Sequence, residues 1–191
     1  MKKCLSRTLL AVMVMLAGAW PGWAGDTPCP PHRDGAMIDG DLVVKGVCSA
    51  DNAKVDGNVK VESGGALTAD HLQVGGSVQA DGATSVNLTY ADVTGDVQLT
   101  GVTGASSVED SVVGGSIQLD NNFPSRFPGS MNIDDNVVIG DVQAFNNTGD
   151  VDISDNTIDG NLQCKENDPA PTASGGGNTV GGNKEDQCEN F

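Results

Sequence analysis

One short phrase recurs along this chain and limits what it can fold into. Its clearest copy is Val93-Thr94-Gly95-Asp96-Val97-Gln98-Leu99. Aligned on the glycine, the phrase returns at Gly40, Gly57, Gly76, Gly95, Gly115, Gly140, Gly160 and Gly182, at intervals of 17 to 25 residues. A period of about 20 residues is the mark of a chain that coils and stacks on itself. Two positions after the glycine stand Leu42, Val59, Val78, Val97, Ile117, Val142 and Leu162. Four positions after it stand Val44, Val61, Ala80, Leu99, Leu119, Ala144 and Cys164. The residues between these columns are polar, so apolar and polar alternate with period two. That is the pattern of a strand with one buried face. The glycine suits a corner that needs either a positive φ or a close approach of backbone.

Further strand-like pieces fill each repeat. Val86 and Leu88, or Val151 and Ile153, alternate in its middle, and Val74, Val93, Val113, Val138, Ile158 and Val180 precede the glycine by two. Three short strands per coil cannot bury their own apolar side, but stacked coils close one continuous core. The predicted fold is therefore all-β: a right-handed parallel β-helix, a solenoid of about seven coils of roughly 20 residues. At roughly 4.8 Å per coil the rod is roughly 34 Å long. A column of Ser111, Asn136, Asn156 and Asn178, four before each glycine, predicts a structural ladder of stacked amides.

Residues 1–24 read as a secretory signal peptide. Lys2, Lys3 and Arg7 precede an apolar run, Leu9 to Ala17, too short for a membrane anchor, and Gly22-Trp23-Ala24 is a cleavage site of the usual type. Residues 25–191 then form one β-helix domain: an N-terminal cap over 25–37, repeats over 38–164, and a loop with a C-terminal cap over 165–191. The expected location is secreted or periplasmic, with no membrane span in the mature chain. Losing the signal takes the formal charge from −16 to −19, which disfavours nucleic acid and anionic membranes as partners. Four cysteines remain and permit three pairings. Their placement favours Cys29–Cys48 and Cys164–Cys188, one bridge pinning each end of the rod.

The segment Gly160-Asn161-Leu162-Gln163-Cys164, Pro169-Ala170-Pro171-Thr172, Gly177-Asn178-Thr179-Val180 and Lys184-Glu185-Asp186-Gln187-Cys188 resembles the closing segment of a group of secreted bacterial β-helix repeat proteins. The resemblance covers about 30 residues, with upstream repeats of the same style. It implies a bacterial exported protein and brings no functional residues with it.

Few residues in this frame are placed for chemistry. The mature chain's cations are scattered, and the acidic surface would repel a uronate substrate. Asp134 and Asp135 are adjacent and would face opposite ways in a strand, unlike a glycosidase pair. Gly-Gly-Ser-Val-Gln-Ala-Asp at 75–81 echoes calcium-binding nonapeptides only superficially, because the period is wrong. The expectation is a non-catalytic protein without cofactor or metal. The runner-up is a small carbohydrate-active enzyme or a calcium-dependent glycan-binding module.

Two binding candidates remain. Gln79, Gln98, Gln118, Gln143 and Gln163 form an unbroken outward column, flanked by Ser77, Asp96, Ser116, Asp141 and Asn161. This flat polar face suits an extended polymer such as an envelope or extracellular glycan, a protein partner, or self-association side by side. The alternative is that neighbouring amides simply bond one another. The longest interval, Gly115 to Gly140, holds Asn121-Asn122-Phe123-Pro124-Ser125-Arg126-Phe127, read as a bulging loop with Phe123, Arg126 and Phe127 as contact residues. The mature chain has no Trp and one Tyr, Tyr90, so sugar-stacking platforms are scarce. Its threonines do not align into an ice-binding column.

Overall fold

A computed structural model describes residues 25–124 and 130–191. The secretory-signal reading of residues 1–24, and the contact residues Arg126 and Phe127, lie outside them.

The described chain is all β, wound as a parallel solenoid of about seven turns. Its three walls are sheets of nine, eight and six strands. One coil shows the plan. Ser85–Thr89 lies in the six-stranded sheet, Asp92–Val93 in the eight-stranded sheet, and Val97–Thr100 in the nine-stranded sheet. Each strand pairs in parallel with its equivalents one coil before and after, so like residues stack: Gln98 on Gln79 and Gln118, Leu99 on Ala80 and Leu119. The alternation read from sequence sends Val86, Leu88, Val93, Val97 and Leu99 inward, all essentially inaccessible to solvent. Burying each aliphatic side chain is worth about 1.5–3 kcal/mol, and that is what closes the coil.

The corners explain the rest of the repeat. The recurring glycines keep ordinary negative-φ backbone. They are required by close approach: a Cβ on Gly115 would lie 2.9 Å from the carbonyl oxygen of Gly95 in the coil below. The next residue in each repeat, taken from sequence as part of an outward face, is instead a connector. The side-chain oxygens of Asp41, Asn58, Ser77, Asp96, Ser116, Asp141 and Asn161 each accept the backbone N–H of the equivalent residue one coil on, at 2.6–3.0 Å. At the opposite corner the chain adopts positive φ, near +50°, at Asn52, His71, Tyr90, Asp110, Asp135 and Asp155.

The predicted ladder of Ser111, Asn136, Asn156 and Asn178 is present and buried. Asn136 Oδ1 accepts the Ser111 N–H at 3.0 Å, and Asn136 Nδ2 donates to Val108 O and to Asn156 Oδ1 at 2.7 and 2.9 Å. A second ladder runs through Asn122, Asn147, Asn167 and Gln187. Asn122 is wholly buried and the Phe123 N–H donates to the Val102 carbonyl at 2.8 Å, so Asn122 and Phe123 belong to the stack, while the loop read from sequence lies, from Ser125 on, outside the described residues. In the N-terminal half both corner columns are apolar: Ala53, Leu72 and Ala91 in one, Ala83 and Val102 in the other, all buried.

The ends are closed. Thr27–Cys29, inside the stretch read as an irregular cap, is already the edge strand of the nine-stranded sheet. It carries Pro28, and Pro30 and Pro31 follow. His32 Nδ1 accepts the Ser49 N–H at 2.8 Å, and Asp34 accepts from Ser49 Oγ and the Asp51 N–H. Those bonds hold the Asp34 carboxyl below its usual range. At the far end Phe191 packs on the core. The bridges are Cys29–Cys48 and Cys164–Cys188, the pairing expected from placement. With sequence separations of 19 and 24 residues, each bridge contributes about 3 kcal/mol in the chain-entropy model. Reduction is therefore expected to lower the denaturant midpoint clearly, and Cys29→Ala/Cys48→Ala and Cys164→Ala/Cys188→Ala should each reproduce about half of the loss. Equal midpoints for oxidised and reduced protein in guanidinium titrations would contradict this.

Candidate functional site: the glutamine face

The five glutamines sit at the centre of the strands of the nine-stranded sheet, on its outer surface. They are brought together as one zipper with a direction. Each Nε2 donates to the Oε1 of the next coil: Gln79 to Gln98 at 3.2 Å, Gln98 to Gln118 at 3.0 Å, Gln118 to Gln143 at 3.1 Å and Gln143 to Gln163 at 2.8 Å. Gln163 then donates to Glu185 Oε2 at 2.8 Å. Below Gln79 the column continues with Lys60, whose ammonium pairs with Asp41 at 2.5 Å. The hydrogen bond from Lys60 and the N–H of Asn58 hold the Asp41 carboxyl below its usual range, and Asp41 holds the Lys60 amine above its own.

The amides thus bond one another, as the structural alternative had it, and the zipper fixes their orientation. An amide has two N–H donors and an oxygen with two lone pairs. The zipper uses one donor of each glutamine and one lone pair of each acceptor. That leaves each amide a second donor and a second lone pair, repeated at one-coil intervals on the outer surface of the sheet. Beside the zipper, in coils two to four (the coil of Gly40 being the first), lies an open groove of about 370 Å³ lined by Lys60, Glu62, Gln79, Asp81, Gln98 and Thr100 among others.

The other candidates fare differently. Phe123 is exposed, and its N–H donates to the Val102 carbonyl one coil below. A second cleft, of about 510 Å³, lies on the six-stranded sheet under the Pro169–Ser174 loop. Its central carboxylate, Asp152, is occupied in holding that loop, accepting from the Ser174 N–H and hydroxyl and from Thr172 Oγ1. Asp134 accepts from Ser154 Oγ at 2.6 Å, and Asp135 has turned the corner. Among the described residues no group of three or more His, Cys, Asp or Glu side chains is placed to hold a metal ion, and no helix is long and apolar enough to cross a membrane.

Sequence reasoning missed one surface. Val112, Val137, Ile139 and Tyr90 are all exposed on or beside the eight-stranded sheet. The signal was present in the doublets Val112-Val113 and Val137-Val138, which break the alternation and leave one valine of each pair outside. The chain matches no protein-family model, no curated protein and no solved structure.

Proposed function

We propose that this protein is a non-catalytic, extracytoplasmic β-solenoid whose glutamine face binds an extended polyhydroxylated chain, such as a glycan of the cell envelope or extracellular matrix. The observation that carries this reading is the half-used amide zipper. It offers a donor and an acceptor at every coil, held in place before any ligand arrives, so little ordering entropy is lost on binding. The adjoining groove gives the ligand depth on one flank. Two disulfides fit an oxidising compartment, and the resemblance of the closing segment to exported bacterial proteins points the same way.

The test is retention of the purified, oxidised protein on a panel of envelope and matrix polysaccharides, followed by calorimetry on any that bind. Gln98→Glu/Gln118→Glu replaces two donors by carboxylates and is expected to weaken binding at least tenfold. Its Tm is measured alongside, so loss of fold is not counted as loss of affinity. Undiminished binding by the variant would move the contact elsewhere. No retention of the wild-type protein on any polysaccharide, with a lowered Tm in the variant, would reduce the zipper to a structural role.

A further inference from the structure

The eight-stranded sheet carries a second surface, of different chemistry. Its strands are two residues long, so each coil presents a row of three exposed positions. In coil five the row is Asp110, Val112 and Gly114; in coil six it is Asp135, Val137 and Ile139; in coil seven it is Asp155, Thr157 and Asp159. Val112 and Val137 are register partners, so their side chains stand about 4.8 Å apart. They are 47% and 43% exposed, and Ile139 is 51% exposed. Tyr90, at the corner of coil four and 53% exposed, sets its ring beside that of His71, with centroids 5.1 Å apart and planes tilted by 36°. Most exposed large apolar side chains of the described residues are thus gathered here, in three successive coils, and a gathered patch of this kind marks an interaction site more often than single exposed residues do.

Along one side of the patch runs a rail of carboxylates, Asp110, Asp135 and Asp155, at one-coil spacing. Partial desolvation and then the charges of Asp134, Asp155 and Asp110 raise the Asp135 carboxyl above its usual range. The rail is therefore crowded with like charge, and cations placed along it would relieve that crowding. A second copy of this chain, formally −16, would bring acid against acid. A glycan would meet mainly aliphatic side chains, with Tyr90 the one Phe, Tyr or Trp ring among them. We infer that this face docks a basic amphipathic helix of a protein partner, its apolar side chains seated on Val112, Val137 and Ile139 and its cations along Asp110, Asp135 and Asp155. A helix lying along the rod repeats every 5.4 Å, close to the coil spacing, whereas alternate residues of a strand repeat at about 6.7 Å.

The surface is separate from the glutamine face, and its test stands apart from the glycan test. The probe is a fluorescein-labelled Lys/Leu peptide of about 14 residues that forms a helix with one basic and one apolar face, titrated with the oxidised protein and read by anisotropy. A Glu/Leu peptide of the same pattern is the control. Binding of the Lys/Leu peptide is expected, with Kd raised about tenfold or more by Val137→Ser/Ile139→Ser and by Asp110→Asn/Asp135→Asn. Asp168→Asn/Glu189→Gln removes the same charge from exposed sites of the last coil and should leave Kd within about twofold. All of these residues are exposed, so the variants keep their core. Failure of the wild-type protein to bind, equal weakening by both charge pairs, or indifference to the serine pair would overturn the inference. So would a concentration-dependent dimer that the serine pair dissolves, which would assign the face to a second copy.

Discussion

Replacing Asn136 by Ala is expected to lower the unfolding free energy by about 3 kcal/mol, one of the two largest effects the fold predicts. The side chain is buried and satisfies three neighbours at once: the Ser111 N–H, the Val108 carbonyl and the Asn156 amide oxygen. Alanine leaves the Ser111 N–H without a partner and without access to water, at about 1–3 kcal/mol, removes the second of the bonds to the Val108 carbonyl, which keeps its place in the parallel ladder, at about 1 kcal/mol, and adds a small cavity. A further consequence concerns cooperativity. Contacts in a solenoid are made between neighbouring coils, so a defect weakens one interface rather than the whole. Asn136 lies near the point where the corner columns change from Ala, Leu and Val to Ser and Asn. Guanidinium titration of Asn136→Ala should therefore give a lower midpoint and a broadened or split transition. A loss below about 1 kcal/mol with an unchanged single transition would show that the buried ladder is dispensable.

Gly115→Ala is the second, expected to cost on the order of 3–4 kcal/mol. The added methyl would lie 2.8 and 2.9 Å from the carbonyl carbon and oxygen of Gly95, and these are backbone atoms fixed by their own sheet. It would also meet the Asp96 carboxylate, which accepts the Ser116 N–H at 2.8 Å. Overpacking alone costs about 1–3 kcal/mol, and breaking that connector adds about 1 kcal/mol. Gly64→Ala offers a contrast, because a Cβ there meets nothing within 4 Å although its φ is +79°. Its cost should be the smaller one of a left-handed backbone, about 1–2 kcal/mol. If thermal melts rank the two variants the other way, close approach is not what holds the glycine column.

Most of the architecture could be read before the fold was seen, because period two and period 20 are both visible along the chain. The glycine column left two explanations open, positive φ or close approach, and only coordinates separate them. Ser77, Asp96 and Ser116 read as surface in the sequence because alternation says which wall of a strand a side chain leaves from, not that it bends along the rod to the next coil. The second amide ladder was hidden for another reason. Asn122 sits beside Phe123-Pro124 and looked like the start of a loop, while Asn147 and Asn167 lie in turns where asparagine is common. All three stand seven residues after Gly115, Gly140 and Gly160, and that constant offset would have found them. Of the candidate face, the glutamine column was legible in full. Its zipper was not, because a column of amides is equally compatible with bonding to one another and with bonding outward.

The proline in the first strand has a meaning beyond the cap. In-register parallel strands, stacked with amide ladders running through them, are also the internal order of an amyloid fibril. This chain builds that order within one molecule, so either terminal coil is a template on which further strands could add. Pro28 removes a donor from the exposed edge at one end, and at the other the Cys164–Cys188 bridge and Phe191 fold the chain back over the last coil. What separates this rod from a seed is thus a handful of residues at its two faces, and they set its length as firmly as the number of repeats does.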